Sequence, residues 1–192
     1  MILNESVTNK DEQLKEWIKE WLKKYIRQEG VHNSIIIDSN GLVSINGDFS
    51  FRSSRRKKIP VQFLKCTGDF VTSIFLITLN GSPKFVGGNF YCDGNKNLTN
   101  LKSGPEEVGD TYACSDCSTL TSLEGAPKFV GGDFYCAKCN NLPYSELFKI
   151  VDAIKGNIYY SSILIPEDKD AIRRKRDIHM NLQHDELGNL DI

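Results

Sequence analysis

Leu120-Thr121-Ser122-Leu123-Glu124-Gly125-Ala126-Pro127-Lys128-Phe129-Val130-Gly131-Gly132-Asp133-Phe134-Tyr135-Cys136 decides the fold, because its key positions recur upstream at a shift of 22 residues. Val86, Val108 and Val130 fall on that interval, as do Cys92, Cys114 and Cys136. The same holds for Pro83, Pro105 and Pro127, for Leu98, Leu120 and Leu142, and for Leu79, Leu101 and Leu123. A fixed period of about 20 to 29 residues marks a solenoid, in which each unit buries its apolar side only by stacking on its neighbours.

Within the unit, Phe134 and Cys136 alternate with Asp133, Tyr135 and Ala137, so a short strand sends the first pair inward and the others outward. The Gly131-Gly132 pair before it reads as a tight corner using positive φ. Pro127 fixes φ on the return side, where no ladder hydrogen bond is required. Three residues after each strand cysteine stands Asn95, Cys117 or Cys139.

The Gly-Asp/Asn step ahead of an apolar strand extends beyond the regular repeats. It appears at Gly47-Asp48-Phe49, Gly68-Asp69-Phe70, Gly88-Asn89-Phe90, Gly132-Asp133-Phe134 and Gly156-Asn157-Ile158, while Tyr112 stands midway between Phe90 and Phe134. Six rungs follow, the first two and the last irregular in length. Their strands are expected at 48–51, 69–72, 89–92, 111–114, 133–136 and 157–160, neighbours in that order in one parallel face.

Flanking elements complete the expectation. Leu14, Trp17, Ile18, Trp21, Leu22, Tyr25 and Ile26 form one stripe at helical spacing, with Gly30 as a stop. A helix over 11–27 is expected to pack on the first rung, because an open solenoid end exposes core and strand edges. Ile35-Ile36-Ile37 and Leu42-Val43-Ser44-Ile45, separated by Asn40-Gly41, predict a hairpin. Leu147, Phe148, Val151 and Ile154 predict a helix over 144–155, capped by Ser145 and closed by Gly156. Beyond Pro166 the chain is highly charged, with a weak stripe of Ile172, Ile178 and Leu182 and fraying final residues. The organisation is thus a capping helix (1–33), a solenoid (34–165) and a charged, mostly helical tail (166–192).

Composition excludes several functions. With 24 basic and 25 acidic residues the net charge is −1, so no global field draws nucleic acid or membrane. No apolar run approaches the roughly 18 residues of a membrane span, and residues 1–10 lack the basic-then-apolar pattern of a secretory signal. The expected location is cytoplasmic, where six cysteines stay reduced and act as small hydrophobes.

The repeats resemble those of leucine-rich-repeat-like proteins encoded by tailed bacteriophages, which read roughly L-T-S-L-E-G-A-P-K-x-V-G-G-D-F-x-C-x-x-N. Residues 120–136 follow the pattern closely; 79–98 follow it with Asn80 and Ser82 in place of the usual acid and alanine. The resemblance covers about 14–161 and implies an α+β repeat fold, a short leucine-rich-repeat-like solenoid of about six rungs. It also implies an Asn or Cys bonding the backbone as the chain leaves each strand. Two stretches depart from the pattern: basic 53–58 and 71–78, which lacks the Cys/Asn signature. No general activity follows from the family, because function resides in a site rather than a fold.

Cys114-x-x-Cys117 and Cys136-x-x-Cys139 have the outline of a four-cysteine zinc site. Cys92 and Asn95 occupy the same two positions one repeat earlier, so repetition of an inward position accounts for the pairs with no metal. The expectation is buried, reduced cysteines and no cofactor, with zinc on Cys114, Cys117, Cys136 and Cys139 as the alternative. Arg55-Arg56-Lys57-Lys58 and Arg173-Arg174-Lys175-Arg176 are basic runs without accompanying aromatic stacking residues. His32, His179 and His184 lie outside the repeats, and no nucleophile–base pair, phosphate loop or paired carboxylates stand out. Tyr91, Tyr135 and Tyr159 lie outward, where they either anchor a partner or pack across rungs.

The expected function is therefore a non-enzymatic protein-interaction module with Asn89, Tyr91, Asp133, Tyr135 and Tyr159 as its binding residues. The phage resemblance implies a host factor as partner, of the defence or transcription kind, met in the bacterial cytoplasm. A nucleic-acid-binding module using the basic runs at 55–58 and 173–176 is the alternative.

Overall fold

The computed structural model describes residues 3–25, 34–160 and 166–188. Its body is a right-angled coil of strands stacked as a β-solenoid, with a helix before it and another near its end. Helix α1 (Leu3–Lys23) is followed by β1 (Ser34–Ile37), β2 (Val43–Asn46), β3 (Phe49–Ser50), β4 (Phe63–Cys66), β5 (Phe70–Val71) and β6 (Phe85–Val86). Then come β7 (Phe90–Tyr91), β8 (Glu107–Val108), β9 (Tyr112–Ala113), β10 (Phe129–Val130), β11 (Phe134–Tyr135), β12 (Ile158–Tyr159) and helix α2 (Lys169–Gly188).

The expected parallel face exists: β3, β5, β7, β9, β11 and β12 are neighbours in that order, every pair parallel. We term it the outer-tyrosine sheet. The strands are two residues long rather than four, because each rung leaves its ladder at once to turn. A second sheet went unforeseen. Here β2, β4, β6, β8 and β10 pair in parallel along what had read as a plain return side, and Val130 bridges to Ile154. The prolines stand just ahead of this ladder, which starts at the next residue, as in Lys84 N–H to Leu64 C=O and Lys128 N–H to Glu106 C=O.

The core lies between the two sheets and a third, turn-rich side that buries Leu79, Leu98, Leu101, Leu120, Leu123 and Leu142. Phe49, Phe70, Phe90, Tyr112 and Phe134 form a continuous inner column with successive ring centroids 5.4, 5.9, 5.1 and 5.1 Å apart. Cys92, Cys114 and Cys136 are buried beside it.

The glycine pairs work differently from the expectation. None of Gly87, Gly88, Gly131 or Gly132 has positive φ. A side chain at Gly87, Gly109 or Gly131 would instead collide with the carbonyl of Thr67, Gly87 or Gly109, one rung earlier. One at Gly68, Gly88, Gly132 or Gly156 would strike the carboxylate of Asp48, Asp69, Asp110 or Asp133. Close approach between rungs is the constraint.

Both ends are covered. Helix α1 begins eight residues before its expected start, and its end around residues 26–30, with Gly30, lies outside the described residues. Ile18, Trp21 and Leu22 are buried, whereas Leu14 and Trp17 stay 50% and 47% exposed. Trp21 packs on Phe49, Phe51 and Phe63 at 6.0, 6.3 and 6.4 Å. The hairpin forms as expected, β1 antiparallel to β2, and Gly41 turns at φ 77° while Asp38 accepts from the Asn40 and Leu42 amides.

At the other end, the expected 144–155 helix is a short 3-10 helix, Tyr144–Lys149, preceded by Pro143 with no side-chain cap. Ile154 must return to bridge Val130, and Val130 N–H bonds Ala153 C=O, so the chain has no room for three α-turns. Helix α2 then docks through buried Ile172. Its Lys169 ammonium donates to the carbonyls of Ile154 and Gly156 at 2.6 and 3.1 Å, and Glu167 N–H meets Ile158 C=O on the last strand. That contact occupies an edge that would otherwise recruit another strand. Ile178 and Leu182 remain exposed. The boundaries expected at 33/34 and 165/166, and the final residues 189–192, fall at or beyond the limits of the described residues.

Candidate functional site

Two rows of side chains stand on the outside of the outer-tyrosine sheet. The first precedes each strand and locks the rungs together. Asp48 Oδ1 accepts from Asp69 N–H, Asp69 Oδ1 from Asn89 N–H, Asn89 Oδ1 from Thr111 N–H and Asp133 Oδ1 from Asn157 N–H, at 2.7 to 3.0 Å. Asn89 and Asp133, expected as binding residues, thus have their hydrogen-bonding groups engaged in holding the coil. The second oxygen of Asp133 accepts from the Tyr135 hydroxyl at 3.3 Å.

The second row follows from strand register: Ser50, Val71, Tyr91, Ala113, Tyr135 and Tyr159 are successive partners. Tyr135 and Tyr159 stack face to face, centroids 4.4 Å apart and planes within 5°. Tyr91 is separated from them by Ala113. Rung four carries only small residues outward (Thr111, Ala113, Ser115), and a depression of about 550 Å3 opens over them between Tyr91 and Tyr135. A second depression of about 400 Å3 adjoins it across Tyr91, over Ser50 and Val71.

Arg52 borders both depressions and reaches across to Asp93, Nη1 to Oδ2 3.3 Å. Burial raises the Asp93 carboxyl above the ordinary range against the opposing pull of Arg52. The hydroxyls flanking the gap are less acidic than usual. Tyr91 is raised by burial and then by Asp69, Asp93 and Asp110; Tyr135 is pushed up to about 12 by burial and then by Asp133. The surface is rigid, wet and negative. Of these features the tyrosines were legible in sequence, while Arg52, Asp93 and the gap at Ala113 were missed. Aligning outward positions at the 22-residue shift, rather than inward ones, reveals the interruption at 113.

All six cysteines are buried and free. Cys117 Sγ donates to Cys92 C=O at 3.4 Å and Cys139 Sγ to Cys114 C=O at 3.1 Å. Asn95 Nδ2 does the same to Ser73 C=O, and Ser73 Oγ to Ser54 C=O, at 3.2 and 2.6 Å. One inward position therefore ties each rung to the one before, and Ser73 fills it in the stretch that lacked the Cys/Asn signature. Burial pushes the Cys66 thiol up to about 12 and raises Cys114 well above its usual value. Among the described residues no group of three or more His, Cys, Asp or Glu is placed to hold a metal ion.

The two basic runs differ. Arg55 to Lys58 are exposed in the loop between β3 and β4. In the second run, Arg173 and Arg176 both bond Asp152, Arg174 lies 3.4 Å from Asp168, and the Lys175 ammonium sits 4.5 Å from the Tyr144 ring centre. That run docks α2. His179 packs on Phe148; His32 and the His184 side chain lie outside the described residues.

No described helix is long and apolar enough to cross a membrane. No protein family, curated protein or solved structure matches the chain.

Proposed function

We propose that this chain is a non-enzymatic interaction module whose outer-tyrosine sheet binds a protein partner. The observation that carries this reading is the outward row Tyr91, Ala113, Tyr135 and Tyr159, which places aromatic groups around a depression on a hydrogen-bonded, rigid sheet. Aromatic anchors of this kind dominate affinity at protein interfaces while ordering little on binding. The resemblance to phage leucine-rich-repeat-like proteins adds a host factor as the partner, of the defence or transcription class, encountered in bacterial cytoplasm. The nucleic-acid alternative is the weaker reading, because Arg173 and Arg176 are paired with Asp152 and the tyrosine face is bordered by carboxylates.

The test is capture from a bacterial lysate by the tagged protein, repeated with two variants. Tyr135→Ala is expected to lose about 2 kcal/mol of affinity, roughly thirtyfold. Charge reversal of Arg55, Arg56, Lys57 and Lys58 is expected to leave capture nearly unchanged. Capture abolished by the reversal, falling steeply with salt and indifferent to Tyr135→Ala, replaces this reading with the nucleic-acid one.

A further inference from the structure

The gap at Ala113 has the dimensions and walls of a stacking slot. Tyr91 and Tyr135 stand two rungs apart, about 9.5 Å at twice the usual strand spacing. One planar group fits between them, in the place a tyrosine at 113 would occupy. Tyr135 and Tyr159 show the geometry such a group would adopt, rings parallel at 4.4 Å. Around the slot, Asp48, Asp69, Asp93 and Asp116 border the two depressions against only Arg52 and Lys138, and Arg52 is already held by Asp93. The planar group that suits two π faces and a carboxylate rim is cationic. A nucleobase brings a phosphate into the same carboxylates, and a neutral ring leaves them unanswered.

Resting on the partner-binding reading above, we propose that this slot receives an arginine side chain of the protein partner, its guanidinium sandwiched between Tyr91 and Tyr135 over Ala113. The planar fork stacks on both rings while its edge donors face the Asp93 and Asp116 side of the rim. Lysine, a compact ammonium with no plane to stack, is a poorer occupant. Recognition of the partner then hinges on one exposed arginine, and Ala113 is the specificity-determining residue because any larger side chain closes the slot.

The experiment is a nuclear magnetic resonance titration of the full chain, following the Ala113 methyl and the Tyr91 and Tyr135 rings. The probes are Ac-Gly-Arg-Gly-NH2, its Lys and Phe counterparts, and uridine monophosphate. The arginine peptide is expected to shift all three residues saturably and to show ring-current shifts on its own Cδ protons. The other probes are expected to bind at least about threefold more weakly. Ala113→Tyr, which fills the slot with a resident ring, is expected to abolish saturation while far-ultraviolet dichroism stays unchanged; Tyr91→Ala removes a wall and serves if that variant misfolds. Absence of saturable shifts, equal or tighter binding of the Phe peptide or the nucleotide, or arginine binding that survives both variants overturns the proposal. The captured partner separates it from the broader reading. Capture lost in Tyr135→Ala but kept in Ala113→Tyr removes the slot and leaves the binding face, whereas capture kept in both removes both.

Discussion

The two sides of one sheet carry two aromatic columns, and they differ in continuity. Inside, Phe49, Phe70, Phe90, Tyr112 and Phe134 follow one another with no rung missing, all essentially inaccessible to solvent. Outside, Tyr91 is cut off from the Tyr135–Tyr159 stack by Ala113. A missing ring inside leaves a cavity that close-packed neighbours fill only in part. A missing ring outside leaves a recess that water fills at small cost. Packing therefore enforces the inner column, and the outer column is free to vary with what it must touch.

The largest expected effect tests that asymmetry directly. Phe90→Ala should destabilise the fold by about 3–5 kcal/mol. Tyr135→Ala, by contrast, should cost about 1 kcal/mol, the worth of one stacked pair. Urea denaturation of both variants decides it, and equal losses erase the distinction between the columns. Next comes completion of the outer ladder. Ala113→Tyr should stabilise by about 0.5–1.5 kcal/mol, since a new ring gains a stacking partner, and a rise in the melting midpoint is the readout. Smaller still, Tyr112→Phe should change stability by less than about 1 kcal/mol, because the hydroxyl's sole printed partner is the Cys92 thiol at 3.9 Å, beyond strong hydrogen bonding. The inner side should also be chemically silent. With the Cys66 thiol pushed up to about 12 and its fellows buried, a thiol reagent at pH 8 should label none of the six cysteines until the protein is unfolded.

The repeat was legible because inward positions cannot drift: Phe90, Tyr112 and Phe134, or Val86, Val108 and Val130, answer to the same packing in every rung. The second sheet was not, because its strands are two residues long and half of each, Phe85, Glu107 or Phe129, faces out. No alternation can be read from two positions. The glycine pairs were seen but their reason was misjudged, since a collision between rungs is invisible until the rungs are stacked. The stretch after Pro143 had helical spacing that a sheet bridge at Ile154 overrode. Of the site, the tyrosines showed themselves as outward aromatics, whereas Ala113 escaped notice because a small residue carries no signal except as an interruption. The run at 173–176 looked like a surface for phosphate because Asp152, its partner, lies more than twenty residues earlier.

Gly87, Gly109 and Gly131 each press against the carbonyl of the equivalent residue one rung before. The unit is therefore its own mould: an in-frame duplication of 22 codons supplies a rung whose glycine meets the carbonyl it needs and whose carbonyl receives the next glycine. Such an event lengthens the rod by about 4.8 Å and asks nothing new of either cap. Inserted beyond Tyr159 it leaves the recess untouched; inserted between Tyr91 and Tyr135 it doubles the recess's width. Length and recognition are thus separately heritable, and a lineage under pressure from a changing partner has a way to alter one without rebuilding the other.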